Sequence, residues 1–391
     1  MRVIELFAGI GACSTALKRI GKEVEIVDAV EIDKYAIASF NAIHGTNFET
    51  QDITIWDKDF KDIDLITHGS PCQDFSVAGK QAGGDIGSGT RSSLMYETIR
   101  IVGKLRPKYV LWENVKNILS SKHKHNFDAY VETMTNLGYN SFYEVLNAKD
   151  YGIPQNRERV YTISIRRDIP QSFNFPEKEE LKLRLKDMLE EKVDEKYYLQ
   201  DTKVNKIVNK DVSDTLLARD YKDPKCVQVA NLSGGKWDKI NESCRRVYSE
   251  NGISPTIHTC QGGNTEPKVA ESIKCTRNEL AQTVKENYGT VTEIVDENNK
   301  NAKHQQDLLQ HKEDICRCIP AGTHGSTPHL LKTIVNDTPL RIRKLTPKEC
   351  WRLMGFSGED FEKAQSVPMS NTQLYKQARK LNLRTSTRKN I

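Results

Sequence analysis

The strongest constraint on this chain is the way its first 166 residues alternate short apolar runs with amphipathic stretches. Residues 2–7, 25–31, 64–68, 109–112 and 160–165 read as strands, and 12–20, 35–43, 94–105 and 127–137 as helices. Along 94–105 the apolar residues are Leu94, Ile101, Val102 and Leu105, and Pro107 punctuates the chain before the next strand. Strands alternating with helices of this length predict an α/β fold built on a parallel, doubly wound sheet. In such sheets ligands bind beyond the carboxyl ends of the strands. The residues that follow each strand are therefore where chemistry is to be sought.

The chain has 391 residues, enough for two or three domains. From 167 to 340 the alternation fails. Charge runs at 177–180 and 182–192 and turns rich in Asn, Gly and Thr replace it. A weak internal similarity, with Asp214-Thr215-Leu216 leading to 224–227 and Ser254-Pro255-Thr256-Ile257 leading to 267–269, reads as paired hairpins. Residues 271–310 read as a polar helical insertion. Order returns at 341–356, where Thr346-Pro347 is a helix start and Gly355 a helix stop.

Composition excludes several classes. No apolar run approaches the length of a membrane span, and the N-terminus lacks the apolar core of a secretory signal. The nine cysteines are odd in number and form no Cys-x-x-Cys pair, so neither a disulfide framework nor a metal site is expected, and a reducing cytoplasm is. The net charge of +5 is a property of the last 16 residues, which hold six basic and no acidic side chains; the rest carries 52 basic against 53 acidic residues. Bulk charge is thus no argument for nucleic acid.

Five segments carry candidate chemistry. Phe7-Ala8-Gly9-Ile10-Gly11 links the first strand to a helix, where glycines let a ligand approach backbone N–H groups. Glu31, at the end of the second strand, stands where an acid can hold both hydroxyls of a ribose. Ser14 occupies the place of a third fingerprint glycine, so a dinucleotide is not specially indicated. Gly69-Ser70-Pro71-Cys72-Gln73 follows the third strand, and Cys72 is either a nucleophile or a structural thiol. The glycine-rich segment 79–89 is either a closing lid or a plain surface loop. Glu113, at the end of the fourth strand, is either an acid that meets a polar ring or a solvated strand-end carboxylate. Arg157 and Arg159 precede another strand and serve the site or surface ion pairs.

Taken in order, these pieces resemble the cytosine-C5 DNA methyltransferase family. The matching residues are Phe7-x-Gly9-x-Gly11, Glu31, Asp52, Pro71-Cys72-Gln73, Leu94, Glu113-Asn114-Val115, Gln155-x-Arg157-x-Arg159, Arg343-Lys344-Leu345-Thr346-Pro347 and Gly355-Phe356. The resemblance covers 1–166 and 341–378. It implies a Rossmann-like catalytic domain at 1–166, a smaller, irregular, β-rich target-recognition domain at 167–340, and a return to the catalytic domain from 341. It implies S-adenosylmethionine as methyl donor, with Phe7, Gly9, Gly11, Glu31, Asp52 and Leu94 around it. Cys72 would be the nucleophile, Glu113 would hold the N3 and amino edge of cytosine, Arg159 would position the base, and Arg157 would support the site. Pro71, Gln73 and Asn114 would meet the substrate. The partner implied is duplex DNA, with the base flipped out of the stack. Arg219, Lys236, Arg245 and Arg246 are candidates for contacts to DNA. An asymmetric two-lobed cleft needs no second copy, so a monomer is expected.

The chain departs from the family at its end. Gln373-Leu374-Tyr375-Lys376-Gln377-Ala378 follows the pattern, but Arg379-Lys380-Leu381-Asn382 stands where Gly-Asn-Ser-Ile would. A one-base frameshift accounts for it: GGA-AAC-TCA-AT, read one base early behind an A, encodes Arg-Lys-Leu-Asn. Weakened cofactor binding and lower stability are the expected consequences. Two rival readings stay open, a DNA-binding relic without catalysis and an RNA cytosine-5 methyltransferase. A nicotinamide oxidoreductase on this fold would leave Cys72 and Glu113 unexplained.

Overall fold

In the computed structural model the residues described are 1–71, 91–199, 203–205, 228–233, 237–257, 266–272, 333–335 and 338–378. Two six-stranded sheets organise them. The first holds β1 (Arg2–Leu6), β2 (Glu25–Val30), β3 (Leu65–His68), β4 (Tyr109–Val115), β5 (Tyr139–Asn147) and β7 (Glu158–Arg166), in the order β2-β1-β3-β4-β7-β5. Four helices accompany it: α1 (Ala12–Arg19), α2 (Lys34–His44), α3 (Met95–Leu105) and α4 (Lys124–Asn136).

Strand periodicity divides the helices between the two faces. On β1, Ile4 and Leu6 join a core with Met95, Ile101 and Val102 of α3 and Phe127 and Tyr130 of α4. Val3, pointing the other way, packs with Cys13 and Leu17 of α1, and Ala29 of β2 packs with Ile37 and Phe40 of α2.

The expected parallel sheet is mixed. β1 to β4 run parallel to one another, but β7 runs antiparallel to both β4 and β5. The link from β5 to β7 is too short for a helical crossover, so the chain doubles back. β5 itself was not anticipated. It is an edge strand whose side chains are mostly half-buried or exposed, so it lacks an apolar run.

The second sheet is built from β8 (Lys203–Asn205), β9 (Gln228–Ser233), β10 (Arg246–Ser249), β12 (Lys268–Ser272), β13 (Thr333–Val335) and β14 (Thr338–Lys344), ordered β13-β14-β12-β10-β9-β8. Glu271 and Ser272 are thus strand residues, where a helix was expected to begin; most of that expected helix lies outside the described residues. The second half of the internal similarity is not a hairpin. β11 (Ser254–Pro255) pairs with β6 (Gln155–Asn156), whereas β12 pairs with β10 and β14. The first half lies outside the described residues.

β14 leads into α5 (Pro347–Leu353), α6 (Gly358–Gln365) and α7 (Asn371–Gln377). Thr346 caps α5 through a reciprocal bond with Glu349, Pro347 occupies the first turn, and Gly355 follows the helix at φ +87°. Trp351, Leu353, Phe356, Leu374 and Tyr375 then pack with Ile10 and Ala12, which brings the C-terminal helices back onto the first sheet. No helix among the described residues is long and apolar enough to cross a membrane.

Candidate active site and cofactor cradle

The carboxyl ends of β1, β2, β3 and β4 carry the sequence-predicted residues. After β1 the backbone turns through Phe7, Gly9 and Gly11, all left-handed at φ 53°, 59° and 80°. Glycine adopts this region readily, whereas Phe7 holds it at a cost of roughly 1 kcal/mol. Gly11 begins α1 without a side-chain cap. The buried Glu5 does part of that work from β1, accepting the Ser14 N–H at 2.9 Å. Ser14, where a third glycine might stand, is itself fully buried.

Glu31 faces this turn. Its Oε2 accepts the Gly9 N–H at 2.9 Å and its Oε1 the Asp33 N–H at 3.0 Å. The two backbone bonds fix the orientation of the carboxylate beside the glycine turn. The Gln51 N–H bonds to the Glu31 carbonyl, which sets the Asp52 loop alongside. Asp52 sits in a turn in which Oδ1 accepts both N–H and hydroxyl of Thr54, and these bonds lower its pKa. Arg100 of α3 secures the same loop through the Ile53 carbonyl. Leu94 ends a short helical turn, Arg91–Leu94, and packs against the first core.

Two features of this cradle escaped the sequence reading. Ile32, next to Glu31, is 69% exposed, an apolar surface beside an acid that could lie against a flat ring. Its signal was an aliphatic residue just past a strand end. His44, at the end of α2, braces the glycine turn. Its Nδ1 accepts from Lys18 at 3.3 Å, so Nε2 carries the proton and donates to the Gly11 carbonyl at 3.2 Å. Burial first, and the Lys18 charge second, hold its pKa down at about 4.

At the ends of β3 and β4 alternation again assigns directions. Glu113 is buried and faces Arg159 of β7, diagonal to it across the ladder, with Arg159 Nε 3.1 Å from Glu113 Oε1. Arg157, almost fully buried, brings a second guanidinium to 3.8 Å from the same oxygen. Trp112 and Asn114 point to the opposite face. Trp112 stacks on His68 at 5.7 Å with planes 4° apart and donates to Ser70 Oγ at 3.0 Å. His68 meets the Tyr130 hydroxyl at 3.0 Å, and burial drives its pKa to about 3. Neutral, packed groups therefore fix the segment that leads through Pro71 towards Cys72. Asn114 is 1% exposed and accepts the Val115 N–H with Oδ1, so it shapes the strand end and does not share the Glu113 face. Cys72, Gln73 and the glycine-rich segment lie outside the described residues.

The second sheet region reaches this site at one edge. Ser254 N–H donates to the Pro154 carbonyl at 2.8 Å, and Thr256 Oγ1 to the Asn156 carbonyl at 2.7 Å, directly before Arg157. Of the four basic residues singled out for DNA, Arg246 is bound to Glu242 at 2.6 Å and Arg245 lies 3.4 Å from Asp238; Arg219 and Lys236 lie outside the described residues.

This arrangement has relatives. A family model described as C-5 cytosine-specific DNA methylase matches residues 1–379. The orphan methyltransferase M.SPBetaI of Bacillus phage SPbeta is 34% identical, with 97% of this chain and 94% of the phage protein covered. The type II methyltransferase M.HhaI of Haemophilus parahaemolyticus is 35% identical over 67% of this chain and 75% of its own. Among solved structures, the S. pombe Dnmt2 methyltransferase matches with a TM-score of 0.54 at 17% identity, covering 98% of this chain and 95% of that one. The Entamoeba histolytica methyltransferase EhMeth gives 0.57 at 16%, covering 97% and 92%. At such identities the structural likeness concerns the fold. The family match is broader in meaning, because it takes in the strand ends, the glycine turn and the returning C-terminal helices alike: this chain belongs to the C-5 cytosine-specific DNA methylases.

Proposed function

We propose that Cys72, Glu113 and Arg159 carry the methyl transfer, and that Phe7, Gly9, Gly11, Glu31 and Asp52 hold the donor. The protein is an S-adenosylmethionine-dependent DNA cytosine-5 methyltransferase. The observation that carries the residue assignment is the ion pair between buried Glu113 and partly exposed Arg159, with Glu113 on the strand next to the one that leads to Cys72. Cytosine C5 is a poor nucleophile. Addition of the Cys72 thiolate to C6 forms an Sγ–C6 bond and pushes electron density to C5, which can then take a methyl group. Glu113 would accept from the amino edge and deliver a proton to N3, which neutralises the negative charge gathering in the ring during addition. Arg159 keeps its Nε beside Glu113 and donates from Nη1 to the Glu158 carbonyl. Its remaining donors would position the base, and Arg157 holds Glu113 from behind. Transfer of the methyl group would release S-adenosylhomocysteine; loss of the C5 proton to solvent would then return its bonding pair to the ring and expel the Cys72 thiolate.

The cradle suits the donor. S-adenosylmethionine supplies an electrophilic methyl on sulfur. Glu31, held by two backbone N–H groups, would take the ribose hydroxyls. Asp52 would take the adenine amino edge, and the exposed Ile32 would lie against the adenine face. Asn114 acts here by shaping the β4 terminus. Residues 167–340 would read the target in a duplex, attached to the site through Ser254 and Thr256, and the protein would act as a monomer. The family match ends at residue 379, where the altered tail begins.

Tritium transfer from S-adenosylmethionine to unmethylated duplex DNA tests the assignment. The chain is compared with Cys72→Ser and with a version carrying a Gly-Asn-Ser tail after Ala378. Activity that Cys72→Ser abolishes supports the reading. Activity only after tail repair supports the site and identifies the tail as damaging. Activity that survives Cys72→Ser overturns it, and transfer to RNA in place of DNA would move the substrate.

A further inference from the structure

Gln377 ends α7 and is almost fully buried. Both ends of its carboxamide engage α2: Nε2 donates to the Tyr35 carbonyl at 2.9 Å, and Oε1 accepts from the Ser39 hydroxyl at 3.0 Å. The Tyr35 carbonyl can only accept, so the amide has a single consistent orientation. Ser39 is itself fully buried, and Gln377 lies more than 330 residues further along the chain.

α2 is the element on which both halves of the cofactor cradle depend. At its start Asp33 caps the helix through the Tyr35 N–H at 2.9 Å, while the Asp33 N–H holds Glu31 Oε1. At its end His44 holds the Gly11 carbonyl. One rigid helix thus sets the ribose acid and the glycine turn relative to each other. Its apolar side packs with Ala8, Ala29, Ile26 and Phe48, contacts that are not directional. Directional hydrogen bonds to α2 from another element supply the missing register.

We propose that Gln377 is a positioning residue for the cofactor cradle, locking α2 from the C-terminal segment so that Glu31 and Gly11 stay in binding geometry. The proposal rests on the cradle being the S-adenosylmethionine site. Gln377 precedes the altered tail, so the lock is intact in this chain even though the residues after Ala378 depart from the family.

The test is calorimetric binding of S-adenosylhomocysteine to the full chain without DNA, with amide hydrogen exchange at Gly9 and Asp33. Gln377→Ala is expected to weaken binding tenfold or more and Ser39→Ala about threefold, with faster exchange at both amides. In turnover the KM for S-adenosylmethionine should rise while kcat at saturation stays within twofold. If Gln377→Ala does not fold, Ser39→Ala decides. A lower melting temperature with unchanged affinity and exchange would overturn the proposal and leave Gln377 a packing residue. Glu31→Ala separates the layers: normal binding in that variant would overturn the cradle assignment itself, whereas lost binding there with normal binding in Gln377→Ala would overturn only the lock.

Discussion

His44 and Gly11 are fitted to each other: the imidazole Nε2 donates to the Gly11 carbonyl at 3.2 Å, and a Cβ on Gly11 would come within 2.1 Å of that nitrogen. Gly11 also sits at φ +80°, a conformation other residues resist. Gly11→Ala should therefore weaken S-adenosylhomocysteine binding at least tenfold and lower the melting temperature. In the double variant with His44→Ala the imidazole clash is gone, while the backbone strain and the 2.8 Å approach to Phe40 remain. Binding calorimetry should then show a combined loss smaller than the sum of the single losses.

Glu5 gives stability a pH dependence of unusual sign for a carboxylate. Burial raises its pKa from 4.5 to about 7, and bonds from Ser14 only partly offset this. Between these values the folded protein keeps a proton that the unfolded chain has released, so stability falls as pH rises from about 4.5 to 7. The limit is on the order of 3 kcal/mol. His44 works in the opposite direction: with its pKa lowered from 6.5 to about 4, stability falls as pH drops through that window. Urea unfolding of Glu5→Gln should show a gain over the parent at pH 8 that shrinks towards pH 4.5.

Much of this was legible in the sequence because strand ends carry short, ordered motifs. Alternation and turn chemistry place the glycine turn, Glu31 and Glu113 at strand ends, and the structure has them there. Physical circumstance hid the rest. β5 is an edge strand without an apolar signature, so the reversal of β7 and the mixed sheet could not be read. Asn114 belongs with Glu113 to the matching Glu113-Asn114-Val115 run, and the two-residue strand period sends the two side chains to opposite faces. His44, Ser39 and Gln377 act through contacts between distant segments, and no local pattern announces such a contact. Thr256 was noticed as half of a repeat, whereas its role follows from pairing with the segment before Arg157.

The Glu113–Arg159 pair should be more important to catalysis than to folding. Arg159 is partly exposed and has water to fall back on, while Glu113 keeps Arg157 nearby. Arg159→Met should lower kcat by a factor of about 100, the size expected for losing one fixed charge at a developing charge, with little change in melting temperature. Glu113→Gln keeps the shape but removes the charge, and should lower kcat by at least as much. Single-turnover methyl transfer at saturating DNA and S-adenosylmethionine measures both. A kcat within threefold of the parent would remove Glu113 from the chemistry.

Arg343 joins the second sheet to the returning helices and should be the most stability-sensitive charge among the described residues. It is fully buried on β14, holds Glu349 of α5 with both terminal nitrogens at 2.7 Å, and also bonds Glu271 of β12. Glu349 in turn accepts the Glu190 N–H at 2.8 Å and closes the Thr346 cap. These carboxylates raise the guanidinium pKa against the desolvation that would lower it. Arg343→Met leaves two acids facing each other without a cation, and breaking a buried pair from one side costs about 3–5 kcal/mol. Chemical denaturation should show that loss. Arg343→Met combined with Glu349→Gln and Glu271→Gln should regain a large part of it, because no unpaired buried charge is left. A small effect of the single variant would mean that water reaches the junction and that the two sheet regions are held together by their apolar contacts.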